Sequence, residues 1–436
     1  MWGEALGARV GNVNWTFYNR QSLPSQSRRR MYMCPEPLRS AVERYFSVTD
    51  TSCKVTICES VSVVTEENNY ASDMARVIIK VTTPHMKKTL SIIVKESTLD
   101  RMVTEAIQES VDFSTEVKIY RDVFPAMENL LLEYGNNDEP LWPHCLGQLD
   151  DTKIVLQDLK ELGYKIIDRQ KGMDYEHASM TMGALAKFHA LSVALVQRGL
   201  ISPDGYSKFV FGGDFDVMNE HLRSNFETLH RAISTTWSCE WSDIIERLGK
   251  LPKKAVNILR ECRKKGKFNV LNHGDPWVNN IMFRYPKGST EPESIRFVDF
   301  QLSHYDSYAF DLHYFMSTSI APDILPSADR LLLEYTETLA ASLRFFGIND
   351  SPTYADVLVE MKRTEFFGLV AAVTVAPVVT APPELAPPKI ANAKDMPLEE
   401  IERRKLARYQ TPSYSRRIEI LLRRAQHGGL FDKICD

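Results

Sequence analysis

Apolar residues in the first third of the chain cluster in short runs that are rich in Val, Ile and Thr. Three of these runs, at residues 55–65, 76–83 and 90–96, are separated by short polar connections and predict an antiparallel meander. A further strand is predicted at residues 153–156. Before the first strand, residues 37–46 have the spacing of an amphipathic helix. The pattern therefore predicts a small antiparallel sheet in this part of the chain.

Helical periodicity dominates after residue 160, and the clearest helix covers residues 174–198, with Asp174 as its candidate N-cap and Gly199 as its stop. Helices are also predicted at residues 104–122, 328–346, 354–375 and 413–426. The longest apolar run, residues 366–379, has about fourteen residues, which is too few to span a bilayer. We therefore expect a mostly helical second half and no membrane span.

Two apolar runs in the second half each lead into a loop-like segment with an acidic residue. The first leads to Asp275, with Asn280 five residues on, and the second leads to Asp299. Kinases use an Asp-x-x-x-x-Asn loop to orient the attacking hydroxyl, and this Asn and a following Asp to hold Mg²⁺ across the phosphates. Taken singly, each residue could be a turn residue or a cap. Their order and spacing together favour Asp275 as catalytic base, with Asn280 and Asp299 as metal ligands.

The two motifs differ from those of protein kinases. The loop opens with His-Gly-Asp instead of His-Arg-Asp, and Asp299 stands in Asp-Phe-Gln instead of Asp-Phe-Gly. Protein kinases use that Arg to bind a phosphorylated activation loop and that Gly to let the metal-binding segment move. The differences favour a kinase of small molecules.

Lys95 ends the third predicted strand, from which a kinase Lys reaches the nucleotide phosphates. Such a buried Lys needs a carboxylate partner, and Glu116 on the following helix is the first candidate. Glu109 and Glu105 lie earlier in the same predicted helix and are the alternatives.

The turn between the first two predicted strands lacks the glycine-rich sequence of a phosphate-binding loop. Asn69, which tolerates left-handed backbone, and the small Ser72 are the candidate phosphate contacts there. The purine is expected at the backbone of Gln157 and Leu159, in the segment that follows the fourth strand. Side chains in that segment carry little information, because backbone groups would bind the base.

The fold class expected from these elements is α+β, with the bilobal arrangement of protein kinases: a small antiparallel-sheet N-lobe and a larger, mainly helical C-lobe. We expect residues 1–50 to form an N-terminal extension and residues 51–160 the nucleotide-binding N-lobe. Residues 161–436 would form the C-lobe, with the catalytic and substrate-binding groups. A chain of 436 residues is long enough for two such lobes.

Composition excludes several other classes of protein. The chain is 44% hydrophobic and 25% charged with a net charge of −4, so it lacks the basic excess typical of nucleic-acid binding. Its seven cysteines are odd in number and scattered, which indicates neither a zinc site nor a disulfide framework. Residues 1–27 lack the apolar core of a secretory signal. We therefore expect a reducing, cytoplasmic location.

Short motifs in order over roughly residues 60–320 resemble the ecdysteroid kinase-like (CHK kinase-like) family, a relative of choline kinases and aminoglycoside phosphotransferases. The matching motifs are Asn69-Tyr70-Ala71-Ser72, Ile93-Val94-Lys95, Phe113-x-x-Glu116-x-x-x-Tyr120, Leu156-Gln157-Asp158-Leu159, Leu185-Ala186-Lys187-Phe188-His189-Ala190, His273-Gly274-Asp275-x-Trp277-x-x-Asn280, Asp299-Phe300-Gln301 and Asp311-Leu312. The resemblance implies a transferase that moves the γ-phosphoryl group of ATP, with Mg²⁺, to a small-molecule hydroxyl, with ecdysteroids as the named substrates. Asp275, Asn280, Asp299, Lys95 and Glu116 match the family's functional positions.

Three polar residues in the matched motifs are expected to have structural roles, and His273 and Asp311 among them are not expected to touch substrate. His189 lies among Leu and Ala on a predicted helix and is interpreted as a hydrogen-bonded core residue. His273 is expected to brace the catalytic loop, and Asp311 to cap or bond it.

The acceptor is left open by the sequence. A sterol such as an ecdysteroid, or a related hydroxylated lipid or xenobiotic, is the first expectation, and a choline-like or aminoglycoside-like compound is the alternative. A ligand-binding pseudokinase is a third possibility. The missing glycine loop favours it, whereas the complete set of catalytic groups opposes it.

Overall fold

The computed structural model describes residues 36–47, 54–62, 72–82, 87–97, 113–150, 152–209, 216–264, 266–387 and 396–435. These residues form two units, of which the first ends at Tyr164 and the second begins at Lys165. The first holds a small antiparallel sheet and the second is mainly helical, so the predicted α+β class is confirmed.

The sheet of the first unit has five strands in the order β1-β2-β3-β5-β4, and all neighbours are antiparallel. Its strands are β1 (Lys54–Ser62), β2 (Ser72–Thr82), β3 (Lys87–Ser97), β4 (Cys145–Asp150) and β5 (Lys153–Gln157). The predicted meander and the predicted fourth strand are confirmed. Strand β4 was not predicted; it lies at the edge of the sheet, and its pairing with β5 is interrupted by two register shifts.

Helix α1 (Glu36–Ser47) packs against this sheet, as its amphipathic pattern predicts. Its residues Leu38, Ala41 and Val42 have helical spacing and are fully buried. Alternate residues of the strands, such as Val77 and Ile79 on β2, point to the same face and join them in one apolar cluster.

A helical segment follows the third strand. It comprises α2 (Phe113–Lys118), a π-helical turn (Ile119–Val123) and α3 (Phe124–Glu133). The predicted helix at residues 104–122 is confirmed from Phe113 onward, and its earlier residues lie outside the described part of the chain.

The second unit is built around α4 (Tyr175–Gln197), whose N-cap is Asp174 as predicted. Gly199 follows the helix with φ +67°. By length and composition this helix could cross a membrane, but 72% of its most apolar window is buried within the protein. Such burial is typical of a core helix.

In the described part of this unit, the remaining α-helices are α5 (Asp216–Thr236), α6 (Ser242–Cys262), α7 (Ala309–Thr318), α8 (Ala328–Phe345), α9 (Tyr354–Thr374), α10 (Ala376–Val379), α11 (Leu398–Tyr409), α12 (Pro412–His427) and α13 (Leu430–Cys435). The helices predicted at residues 328–346, 354–375 and 413–426 are confirmed. Between α6 and α7 lie two short antiparallel pairs. Strand β6 (Asn269–Asn272) pairs with β9 (His304–Ser307), and β7 (Ile281–Arg284) pairs with β8 (Ser294–Phe297). These pairs hold the loops that carry Asp275 and Asp299.

Candidate active site

The catalytic loop begins directly after β6, and its second residue must be glycine. Gly274 has φ +85°, and a Cβ atom built on it would lie 1.9 Å from the carbonyl oxygen of Leu302. No side chain fits at that distance. The close approach of the two backbones therefore explains why the motif reads His-Gly-Asp.

Asp311, in the first turn of α7, anchors the loop. One carboxylate oxygen accepts the amide hydrogen of His273 at 2.7 Å, and the other accepts that of Gly274 at 2.9 Å. The Nε2–H of His189 donates to the same carboxylate at 3.0 Å. Burial alone would raise the pKa of Asp311, but the hydrogen bond and charge of His189 and the backbone donors outweigh it and lower that pKa. His189 is a buried, hydrogen-bonded residue as expected, and Asp311 bonds the loop as expected.

His273 links the catalytic loop to the segment before Asp299. Its Nδ1 accepts the amide hydrogen of Asp275 at 3.2 Å, and its Nε2–H donates to the carbonyl of Val298 at 3.2 Å. One ring nitrogen thus accepts and the other donates, as in a neutral imidazole. The expected bracing role of His273 is confirmed.

The carboxylate of Asp275 is held from two sides. Oδ2 accepts a hydrogen bond from Nδ2 of Asn280 at 2.9 Å, and Oδ1 accepts one from the hydroxyl of Tyr314 at 2.5 Å. Loss of hydration and the negative charge of Asp299 raise the pKa of Asp275 to about 7, although the hydrogen bond from Tyr314 acts against them. A carboxylate with its pKa in this range is suited to accept a proton near neutral pH.

Hydrogen bonds hold the amide nitrogen of Asn280 and leave its amide oxygen available to a ligand. Nδ2 donates to both the carbonyl oxygen and the carboxylate of Asp275. The carbonyl of Asn280 accepts the amide hydrogen of Val298 at 2.9 Å, which ties the loop to the end of β8. The Oδ1 atom is an oxygen donor of the kind that Mg²⁺ prefers.

Asp299 has φ +70° and is the one non-glycine residue with positive φ in the described part of the chain. Backbone of this kind costs energy for residues with a Cβ, and it is found preferentially at functional sites. The next residue, Phe300, is fully buried, and its ring centroid lies 4.5 Å from that of His273. The packing of Phe300 against the loop therefore holds Asp299 in this conformation.

The donor set formed by Asp299 and Asn280 fits a magnesium ion. The described residues contain no group of three or more His, Cys, Asp or Glu side chains that could hold a metal by themselves. Mg²⁺ in kinases needs no such group, because one or two protein oxygens act together with phosphate oxygens and water. Which metal the two residues hold stays a prediction.

In the first unit, Lys95 and Glu116 form a buried ion pair. Nζ of Lys95 lies 2.7 Å from Oε2 of Glu116, and the two side chains are 4% and 0% exposed. On β3, Lys95 lies opposite Met74 of β2 and Ile154 of β5, in the middle of the sheet. The pairing predicted from the sequence is present. Glu105 and Glu109 lie outside the described residues.

The other residues predicted to contact the nucleotide are Asn69, Ser72, Gln157 and Leu159. Asn69 lies outside the described residues, and Ser72 is the first residue of β2, opposite Ser97. The amide hydrogen of Gln157 is donated to the carbonyl of His144 at 2.9 Å, so it is engaged within this unit. Leu159 is buried and opens a short 3₁₀ helix that Asp158 caps.

Tyr314 is a site residue that the sequence analysis missed. It follows Asp311 by three residues on α7, so both lie on the same side of the helix. This spacing could have identified Tyr314, because it puts the residue on the side of the helix that Asp311 anchors to the catalytic loop. The carboxylate of Asp158, which caps the short 3₁₀ helix, also accepts hydrogen bonds from Arg76 at 2.5 Å and Ser91 at 2.6 Å.

Comparison with solved structures finds distant likenesses. Choline kinase from Cryptosporidium parvum has 12% identity and a TM-score of 0.44, with 89% of this chain and 95% of that chain covered. The Plasmodium vivax ethanolamine kinase has 11% identity and a TM-score of 0.41, with coverage of 87% and 89%. An aminoglycoside-3'-phosphotransferase of type VIII has 13% identity and a TM-score of 0.29, with coverage of 71% and 93%.

These likenesses are too distant to support a functional argument, and no curated protein matches the sequence. The sequence does match the model of the ecdysteroid kinase-like family over residues 66–348, which is more than half of the chain. The match includes Lys95 and Glu116 of the first unit and Asp275, Asn280 and Asp299 of the second. The protein therefore belongs to the ecdysteroid kinase-like family and is, like its members, a kinase of small molecules.

Proposed function

We propose that the protein transfers the γ-phosphoryl group of ATP, with Mg²⁺, to an alcohol hydroxyl of an ecdysteroid or a related hydroxylated lipid or xenobiotic. The observation that carries the proposal is the hydrogen-bonded pair of Asp275 and Asn280, with Asp299 close enough for its charge to raise the pKa of Asp275. An oriented carboxylate, an amide oxygen and a second carboxylate are the groups that phosphoryl transfer needs.

Asp275 would accept a hydrogen bond from the acceptor hydroxyl. Each of its oxygens already accepts one hydrogen bond, but a carboxylate oxygen has a second lone pair for the acceptor. The phosphoryl-transfer transition state needs little base strength, so the main contribution of Asp275 is to position the hydroxyl and receive its proton late.

Asp299 and the amide oxygen of Asn280 would hold the magnesium ion. When bound, Mg²⁺ would neutralise the negative charge that develops on the phosphates during transfer. To hold the ion, Asn280 must keep its amide oxygen directed away from Asp275. The hydrogen bonds from Nδ2 to Asp275 hold the amide in that orientation.

We propose Lys95 as the anchor of the nucleotide phosphates. Its ion pair with Glu116 holds the ammonium group in one place within a buried part of the first unit. Fixing a flexible lysine before the nucleotide binds reduces the entropy lost on binding. Asn69 and Ser72 are the proposed phosphate-loop contacts, and the backbone at Gln157 and Leu159 is the proposed purine contact, through groups other than the engaged amide of Gln157.

The family supports the acceptor class, since it is named for ecdysteroids. A choline-like acceptor would require an aromatic cage with a nearby carboxylate, and an aminoglycoside would require an acidic rim. A pseudokinase would bind nucleotide without transferring phosphate. The same assay separates these alternatives.

The test is mass spectrometry of the products formed with ATP and Mg²⁺ from a panel of ecdysteroids, hydroxylated xenobiotics, choline and aminoglycosides. We expect a mass gain of one phosphoryl group on a sterol or xenobiotic, dependent on Mg²⁺. Asp275→Asn is the matched control, and it should lower kcat roughly 10²-fold or more, as loss of a proton-transfer group does. Nucleotide binding without product from any compound would support the pseudokinase, and near-normal turnover by Asp275→Asn would remove Asp275 from its role.

A further inference from the structure

Arg417 is a buried cation whose charge no carboxylate of the described residues balances. It lies on α12, its side chain is 1% exposed, and it belongs to the core of the second unit. Its single hydrogen bond is from a terminal nitrogen to the carbonyl oxygen of Ser317, at 3.4 Å. In the part of the chain that the structure describes, no carboxylate forms an ion pair with it. A buried charge without a partner is costly, so a partner is expected from outside the chain.

Two further buried donors on the same helix lack acceptors. Among the described residues, Nε of Arg417 and the hydroxyl of Tyr414 have no hydrogen-bond partner, and Tyr414 is 0% exposed. The two residues are three positions apart on α12, so their side chains lie on the same side of that helix. A charged donor and a neutral donor on the same side of a helix, both without acceptors, suit a group with several oxygen atoms and a negative charge.

The contact with Ser317 also relates Arg417 to the catalytic loop. Ser317 and Tyr314 are three residues apart on α7, which is less than one helical turn of about 5.4 Å. Tyr314 is the residue that hydrogen-bonds to Asp275. Arg417 is therefore bonded to the same short helix that orients the catalytic carboxylate, and a ligand group at Arg417 would lie on the Asp275 side of this unit.

The carbonyl of Ser317 lies in the last turn of α7, where a cation is favourable for the helix dipole. That explains one contact of the guanidinium. It leaves Nε and the hydroxyl of Tyr414 without acceptors, and a guanidinium has five N–H donors.

We propose that Arg417 and Tyr414 bind an oxyanion, such as a carboxylate, sulfate or phosphate, that is part of the acceptor molecule. The acceptor would then be an amphiphile with a hydroxyl at Asp275 and an anionic group at Arg417. This assignment rests on the proposed function in that the bound molecule is the phosphoryl acceptor; the binding of the oxyanion itself does not depend on it.

The test uses cholate, a hydroxylated steroid with one carboxylate, and its uncharged methyl ester, with binding measured by calorimetry in the absence of nucleotide. The proposal expects the protein to bind cholate more tightly than the ester. Arg417→Met should weaken cholate binding at least about tenfold, the effect of one charge-assisted hydrogen bond, and leave ester binding unchanged. Arg417→Lys should retain part of the preference. Equal binding of cholate and ester, or equal binding by the protein and Arg417→Met, would overturn the proposal.

Arg424→Met is the matched control. Arg424 lies on the same helix, and its guanidinium also donates to a backbone carbonyl, that of Leu325, at 3.0 Å. Its replacement should not change cholate binding. Arg417→Met is expected to fold, because an apolar side chain of similar size often replaces a buried charge without loss of stability. If it does not fold, Tyr414→Phe takes its place and should weaken cholate binding as well.

Sodium phosphate and sodium sulfate distinguish the source of the anion. If either binds in an Arg417-dependent manner while cholate does not, the site takes a free anion and the acceptor assignment is overturned. Phosphoryl transfer is measured separately with ATP and Mg²⁺. Arg417-dependent binding of cholate without any transfer would contradict the proposed function and leave the oxyanion site standing.

Discussion

The hydroxyl of Tyr314 donates a hydrogen bond to Oδ1 of Asp275 at 2.5 Å. Asn280 holds the other carboxylate oxygen at 2.9 Å, so the plane of the Asp275 carboxylate is fixed from both sides. Positioning contributes much of the acceleration in phosphoryl transfer. We therefore propose Tyr314 as a positioning residue, which would act on the acceptor through Asp275.

Tyr314→Phe should lower kcat by roughly tenfold to a hundredfold, because a carboxylate held from one side samples unproductive orientations. The KM for the acceptor should change less than kcat, since the lost contact is to Asp275. Steady-state kinetics of phosphoryl transfer measure both constants. Tyr335→Phe is the control, because Tyr335 also loses a buried phenolic hydrogen bond, the one of 2.8 Å to His189. An equal fall in kcat for both variants would show that loss of a buried hydroxyl, not the orientation of Asp275, is responsible.

The ion pair of Lys95 and Glu116 allows stability and nucleotide binding to be separated. Glu116→Gln leaves a buried ammonium without its counter-charge and should destabilise the protein by about 3 kcal/mol or more. The double variant Lys95→Met with Glu116→Leu removes both charges and should recover most of that stability. It should not recover ATP binding, because the proposed phosphate anchor is gone. Urea unfolding and calorimetric titration with ATP measure the two quantities, and normal ATP affinity in the double variant would contradict the role of Lys95.

The catalytic motif could be predicted because its parts are close in sequence. The bond between Asp275 and Asn280 spans five residues, and the chemistry of a carboxylate and an amide at that spacing is specific. The strands β2 and β3 could be predicted for a similar reason, since each has a continuous run of β-branched residues. Local pattern and local chemistry determine these features.

The missed features depend on distant parts of the chain. Tyr314 meets Asp275 across 39 residues, and Arg417 meets Ser317 across 100. Strand β4 forms at the sheet edge by pairing with β5, although Gly147 lies in its middle and weakens its strand pattern. Apart from the spacing of Tyr314 from Asp311, nothing local to these segments distinguishes them from other tyrosines, arginines or loops, and tertiary contacts decide their roles.

Asp311 should make stability depend on pH in the acidic range. The pKa of Asp311 is lowered in the folded protein, so its carboxylate stabilises the fold above the unfolded-state pKa of about 3.9. That contribution is lost as the pH falls below this value and through the folded-state pKa. Asp311→Asn should therefore cost about 2 kcal/mol or more at pH 7, since the amide cannot accept equally from His273 and Gly274.

The difference between the protein and Asp311→Asn should shrink as the pH is lowered from about 4, where the unfolded-state carboxyl begins to take up its proton. Urea unfolding at several pH values measures it. A difference that stays constant from pH 7 to pH 3 would mean that the charge of Asp311 does not stabilise the catalytic loop.

Asp299 combines a proposed metal ligand with an unfavourable backbone conformation, and two variants separate these properties. Asp299→Ala and Asp299→Gly both remove the carboxylate, so both should lose Mg²⁺-dependent turnover. They should differ in stability, because alanine at φ +70° is strained and glycine is not. We expect Asp299→Gly to be more stable than Asp299→Ala by about 1 kcal/mol in urea unfolding.

Asp299→Asn keeps an oxygen donor and is a residue type that tolerates this backbone. It should therefore retain more Mg²⁺ affinity than the alanine and glycine variants. Equal stability of the alanine and glycine variants would show that the segment relaxes out of this conformation once the carboxylate is absent, and Mg²⁺-dependent turnover by either would assign the metal to other residues.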